Sequence, residues 1–291
     1  MEELRFSSEA IEAVVLPEVG ARLHRLQAFG HDILRTPDDR YEHVDDPFFW
    51  GSYVMAPWGG RIQAGTETLG WRKIALEANF PDGSAIHGQV YDRPWHQRPD
   101  GTLQVRAGGD GWPWVYEVSL RMEAVRQSLL MELTLTNRSA DPMPAGLGIH
   151  PWFRRPLSVA IHGETVHPLN TASHPPAEPE PVHGAYDLRA LGTMADDLDA
   201  TWAGLAEPPV ELLWPQAGIR ATMRIASPTI FVVAASPATV DAIAVEPQTH
   251  APQGLRRLLR QEPGGLTMLE AGQAISLGVE LAFERLESAS S

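Results

Sequence analysis

A two-residue hydrophobic period, sustained over long stretches, sets the narrowest limit on how this chain can fold. Tyr116, Val118, Leu120 and Met122 alternate with Glu117, Ser119, Arg121 and Glu123. Met131, Leu133 and Leu135 alternate with Glu132, Thr134 and Thr136. Near the C-terminus Ile275, Leu277, Val279, Leu281 and Phe283 alternate with Ser276, Gly278, Glu280, Ala282 and Glu284. Neighbouring side chains of a strand point to opposite faces, so this period belongs to strands with one apolar and one wet face. Such strands build antiparallel sheets. Ile230-Phe231-Val232-Val233-Ala234 is apolar on both faces and reads as a central strand covered on both sides. Helical signals are few. Pro252 to Gln261, with Leu255, Leu258 and Leu259, is expected to form a short helix, and Asp187 to Leu191 a single turn. The proline-rich segment from His174 to Pro181 lacks the donors of a helix or central strand, and is expected as a long surface loop.

The fold class is therefore all-β. At 291 residues, 43% of them hydrophobic, the chain can bury one large core or two smaller ones. No shift in composition divides it. Residues 1–286 read as one domain and residues 287–291 as a frayed tail.

Composition excludes several chemistries. There is no cysteine, so disulfides, thiolate nucleophiles and Cys-ligated zinc are ruled out. The formal net charge of −14 repels nucleic acid and anionic lipid. No apolar run approaches the ~20 residues that span a bilayer. Met1-Glu2-Glu3-Leu4-Arg5 lacks the basic and then apolar pattern of a signal segment. A cytoplasmic monomer or homodimer without nucleic-acid or membrane partners is the expectation. There is no His-Glu-x-x-His, and His162 and His167 stand without a ligand set. Gly146-Leu147-Gly148 is too short for a nucleotide loop, and no Gly-x-Ser-x-Gly elbow is present. Nothing fixes a Ca²⁺ geometry around Asp196-Asp197-Leu198-Asp199. Neither a metal nor a cofactor is expected.

Two segments carry residues suited to proton transfer. Gly148-Ile149-His150-Pro151-Trp152 sets a histidine, whose free pKa lies near neutrality, against a rigid proline and an indole. Ala244-Val245-Glu246-Pro247-Gln248-Thr249 supplies a carboxylate. Together Glu246 and His150 form an acid/base pair in outline. The bland readings are a rim glutamate in a turn and a histidine packed under Trp152.

The order of motifs resembles that of the aldose 1-epimerases, or galactose mutarotases. Gly20-Ala21-Arg22-Leu23 and Gly30-His31-Asp32-Ile33-Leu34 are similar to that family's opening strands. Pro57-Trp58-Gly59-Gly60-Arg61-Ile62 resembles its arginine segment, and Ile86-His87-Gly88 its first site histidine. Asn137-Arg138-Ser139, Met143-Pro144 and the His150 segment follow in the family's order. Asp199 before Trp202, the Glu246 segment and Glu270-Ala271-Gly272-Gln273 complete the series. The resemblance implies a large antiparallel β-sandwich (a galactose mutarotase-like supersandwich) holding a small-molecule sugar and interconverting its α and β anomers. It implies Glu246 as base and His150 as acid, the latter with a pKa raised by a nearby carboxylate. It implies sugar contacts from Arg61, His87, Asp199 and Trp152. Gly88 is expected to let a ligand approach His87 closely. Asp196 and Asp197 read as a solvated turn.

Two departures leave the sugar's identity open. Gly60 stands where the family has asparagine, and Trp152 where it has tyrosine. Arg154 and Arg155 motivate an alternative, a sugar phosphate or other anionic sugar as substrate. A carbohydrate-binding protein without turnover is a further alternative, since fold does not fix function.

Overall fold

The alternating segments are strands in the computed structural model, which describes residues 1–168 and 178–287. Trp112–Val125, Ser128–Asn137 and Ala274–Arg285 pair side by side in antiparallel register, with Leu133 opposite both Leu120 and Leu277. Their apolar positions are buried and their polar positions face outward, as the period requires. Leu103–Gly109 and Ile219–Ala226 extend this layer on either side. A second layer contains Ser52–Met55, Gly148–Arg154, Ala242–Gln248 and Phe231–Ala235, again antiparallel.

The long strand Asp199–Trp214 belongs to both layers. Its first residues pair with Phe231–Ala235 and its last with Ile219–Ala226. The result is a large, curled antiparallel sheet closed into a sandwich, with a few short helices. One continuous apolar core joins the layers, from Trp112, Trp114 and Leu133 to Ile149, Val232 and Val245. Each fully buried Leu, Ile or Val contributes roughly 1.5–3 kcal/mol, and the alternation supplies them along every long strand.

The structure departs from the sequence reading in informative places. Phe231–Ala235 is central, between Asp199–Trp214 and Ala242–Gln248, but only Val232 and Ala234 are in the core. Its other apolar face, with Val233 and Ala235, lines a cavity rather than packing under a second layer. Of the proline-rich segment, residues 174–177 lie outside the described residues. Glu180–Pro181 forms a short strand against Thr165 and Val166, where an edge tolerates the missing proline donor. The helix expected after Pro252 spans Gly254–Leu259. The turn expected at Asp187 to Leu191 lies upstream instead, as a 3-10 helix over Gly184–Tyr186. Of the tail, residues 288–291 lie outside the described residues.

Candidate active site

Strand register brings the distant motifs together. Gly148 pairs with Gln248 and Trp152 with Ala244, which sets His150 directly opposite Glu246. On the far side His150 pairs with Tyr53, while Glu246 pairs with Val233 and Val233 with Thr201. Tyr53, His150, Glu246, Val233 and Thr201 thus form one row across neighbouring strands, and all of them line the same cavity. Two positions along, Asp199 pairs with Ala235, Ala235 with Ala244 and Ala244 with Trp152. A strand repeats its face every second residue, so Asp199, Trp152 and Gln248 point the same way as the first row. The small side chain of Ala235 lines the cavity, while Ala244 packs with Trp152. The cavity has a volume of about 570 Å³, within the range of small-molecule sites.

His150 Nε2 lies 3.1 Å from Glu246 Oε1, and both side chains are almost wholly buried. Gln248 Nε2 donates to Glu246 Oε2 at 3.2 Å. Tyr53 stacks on the imidazole of His150 at 4.6 Å between ring centres and 20° between planes. The ring of His87 meets that of His150 edge-on at 4.9 Å. Glu246 is buried within a strand and not in a rim turn. His150 does pack against Trp152, at 5.0 Å between ring centres, and contacts Glu246 as well.

The second wall comes from the short strands Arg61–Gln63 and Ser84–Ile86, which pair Arg61 with Ile86 and so place Arg61 beside His87. His87 itself has a left-handed backbone, φ 63°, and its N–H donates to the Gly60 carbonyl at 3.0 Å. Gly88 has a structural reason of its own. It has φ +76°, and a Cβ there would collide with the Ala56 carbonyl, so glycine is required by backbone packing. Arg61 Nε donates to Asp82 Oδ2 at 2.8 Å, and Nη1 reaches Asp199 Oδ2 at 3.4 Å. Gly60 has φ +59° with open space where a side chain would stand. The indole N–H of Trp152 donates to the Phe48 carbonyl at 2.6 Å, so Trp152 anchors the aromatic segment carrying Phe48 and Phe49.

Burial dominates the electrostatics. It pushes the Glu246 carboxyl well above the usual range, with Asp199 adding to the rise and Arg61 and Gln248 opposing it. Burial lowers His150 to about 3, with Arg22 and Arg61 pushing the same way. The shift runs opposite to the expected rise, because desolvation of the imidazolium is its largest cause. His87 is held well below its ordinary value by burial and by His150 and Arg61. Burial also raises Asp199, against Arg61. Both shifts in the central pair favour its uncharged form. Moving one proton along the 3.1 Å contact converts that form into carboxylate and imidazolium.

The six residues expected at the sugar site meet here: Glu246, His150, Arg61, His87, Asp199 and Trp152 line one cavity. Asp196 and Asp197 form an exposed turn, as expected; Asp197 borders the cavity, and its carboxylate accepts from the Ala238 N–H at 2.9 Å. Arg154 and Arg155 do not line it. They face Asp32 and Asp196 at 3.6 and 3.5 Å. Tyr53, Asp82, Gln248, Phe48 and Phe49 were not anticipated. Gln248 was within reach, since it lies two residues after Glu246 on the same face. Tyr53 sits in a strand buried on both faces and gives no periodic signal.

Known proteins share this architecture. The sequence profile of the family described as aldose 1-epimerase matches residues 3–279. A galactose mutarotase-like protein from Clostridium acetobutylicum superposes with a TM-score of 0.82 at 20% identity, covering 97% of this chain and 95% of that one. A galactose mutarotase-like protein from Lactobacillus casei gives 0.77 at 18% identity, covering 97% and 100%. Galactose 1-epimerase from Lactobacillus acidophilus gives 0.75 at 18% identity, covering 98% and 95%. A comparison with curated protein sequences found no match. The profile match over nearly the whole length, with this fold beneath it, shows that the chain belongs to the aldose 1-epimerase family of isomerases.

Proposed function

We propose that this chain interconverts the α and β anomers of a free monosaccharide by opening and reclosing its ring. The contact between His150 Nε2 and Glu246 Oε1 on the floor of the cavity carries the reading. Opening a cyclic hemiacetal needs one proton taken from the anomeric hydroxyl and one given to the ring oxygen. Glu246 takes the first and His150 gives the second, which breaks the bond between C1 and the ring oxygen and leaves an aldehyde and a hydroxyl. Rotation about C1–C2 presents the other carbonyl face, and the transfers run backwards on closure. A placed acid and a placed base each contribute ~10² to 10⁴ in rate.

The working pair must therefore hold one transferable proton. The uncharged pair favoured by burial holds one and becomes carboxylate and imidazolium by an internal transfer. Arg61 favours the carboxylate as that transfer occurs. The remaining groups orient the sugar: Arg61 and Asp199 through hydroxyls, His87 near the ring oxygen, and Trp152 against a C–H face. No cofactor enters the scheme.

A neutral sugar suits the site better than an anionic one. Arg61 is the only arginine or lysine lining the cavity among the described residues, and two carboxylates already engage it. Arg154 and Arg155, the motive for a phosphorylated substrate, are occupied elsewhere. The test is to dissolve pure α-anomers of hexoses and pentoses and follow optical rotation or NMR with and without protein. Acceleration of at least one, abolished in Glu246→Gln and His150→Asn, supports the reading. No acceleration across the panel overturns it.

A further inference from the structure

Arg22 is a fully buried cation outside the cavity. Its side chain has no exposure and, among the described residues, no ion-pair partner. Burial lowers its pKa only to about 10, so it stays charged at neutral pH, with Asp92 and Asp46 among the groups favouring that charge. A lone buried charge is costly, and here it is offset by backbone carbonyls and one aromatic face. Nη1 donates to the carbonyls of Pro47 at 2.8 Å and Trp50 at 3.1 Å, and Nη2 to that of Tyr91 at 3.1 Å. The guanidinium lies 4.6 Å from the centre of the Tyr53 ring, and Tyr53 stacks in turn on His150.

These contacts complete a pattern along Pro47–Trp50. The Phe48 carbonyl accepts from the Trp152 indole and the Tyr53 hydroxyl, and the Phe49 carbonyl accepts from Arg35. Every carbonyl from Pro47 to Trp50 is thus held by a side chain, and the segment needs no strand ladder to stay in place. Phe48 and Phe49 are held against the cavity as a result.

We propose that Arg22 is a positioning residue for the sugar site: one buried guanidinium fixes the two ends of the Pro47–Trp50 wall and, through the Tyr53 ring, the plane of His150. This rests on the anomer-interconverting reading above. A cation–π contact in a desolvated place holds ring orientation firmly. The same charge opposes imidazolium formation at His150. The groups facing the pair are Tyr53, His87, Arg61, Asp199 and, beneath, Arg22.

The test compares Arg22→Lys, Arg22→Met and Arg35→Lys by steady-state anomerisation over a pH series, with the folded fraction measured for each. Misplacing a reacting group by about 1 Å lowers turnover on the order of 10²-fold, so both Arg22 variants are expected to lose 10- to 100-fold in kcat per folded molecule. In Arg22→Met the acid limb of the pH profile moves to higher pH, because a charge that disfavours protonation of His150 has gone. In Arg22→Lys the charge stays, and the limb stays with it. Arg35→Lys loosens the Phe49 carbonyl and the guanidinium contact with the Trp50 ring, leaves Arg22 and Tyr53 in place, and is expected to raise KM without moving the limb.

If Arg22→Met folds, loses thermal stability, and keeps kcat, KM and its acid limb within about twofold of the parent, Arg22 is merely structural and the proposal is overturned. Should Arg22→Met fail to fold, Tyr53→Leu breaks the stack and leaves Arg22 in place; an unchanged kcat there overturns the proposal as well. If the parent protein turns over no sugar, the function reading fails separately. The ¹⁵N shifts of the His150 ring in Arg22→Met then decide, with unchanged shifts overturning the role of Arg22.

Discussion

Replacing Glu246 by glutamine should separate chemistry from folding. The amide keeps the size of the carboxyl, can accept from Gln248, and can donate toward His150 Nε2, so neither neighbour is left unpaired. It cannot take a proton. A general base contributes ~10² to 10⁴ in rate, or about 3–5 kcal/mol of barrier. Stability should move the other way. Burial raises the folded-state pKa of Glu246, so the folded protein binds its proton more tightly than the unfolded chain does. The stability this brings is present below the unfolded value of about 4.5 and is lost as pH rises through the folded value. Above that, the parent carries a buried charge that the variant lacks. Thermal melts from about pH 5 to about pH 9 should show Glu246→Gln at least as stable as the parent, with an advantage that grows with pH. Polarimetry on freshly dissolved α-anomer gives the rate. A variant within tenfold of the parent on every accelerated sugar would refute the assignment. So would a loss of rate matched by an equal loss of folded protein.

Other outcomes follow from the same geometry. His150→Asn should cut kcat on the order of 10²-fold while the Tyr53 side of the site remains packed; circular dichroism and polarimetry together check this. Because His150 titrates at about 3, the parent rate should show no inflection near ~6.5, where free imidazole titrates, and should fall instead on the alkaline side as Glu246 loses its proton. Arg61→Lys replaces a planar fork by a point charge between Asp82 and Asp199, and KM should rise roughly tenfold with a smaller change in kcat, read from initial rates. Gly88→Ala forces a Cβ onto the Ala56 carbonyl at φ +76°, and urea unfolding should show a loss of about 2 kcal/mol or more. His24, His43 and His250 are held at about 4, 2 and 4 by burial, so the stability they allow is present above ~6.5 and is lost as pH falls toward those values. Melting temperature should decline over that acid range, more gently in His43→Phe.

The strands and the chemical residues were legible in the sequence for different reasons. Ala274–Arg285 shows itself because its polar face meets water over its whole length. Phe231–Ala235 misleads because a sugar-sized cavity can border an apolar face, and periodicity reads that face as covered. Glu246 and His150 were found as residue types in recognisable company. Their contact depends on strand register, which no local pattern displays across nearly a hundred positions. The direction of the His150 shift was missed because a carboxylate partner was weighed without the desolvation of both groups. Arg22 stood in plain view inside Gly20-Ala21-Arg22-Leu23, yet nothing local says that an arginine there is buried under a tyrosine.

Because His150 and Glu246 face each other through a fixed register, the proposed catalysis would act as a gauge of strand alignment. A shift of one residue between their strands would turn one of them through the sheet into the apolar core, with no intermediate geometry. Partly misaligned molecules would keep their β-sheet signal in circular dichroism and lose all turnover. Recovered activity after refolding would then count correctly paired molecules, while spectroscopy counts every molecule that has formed a sheet.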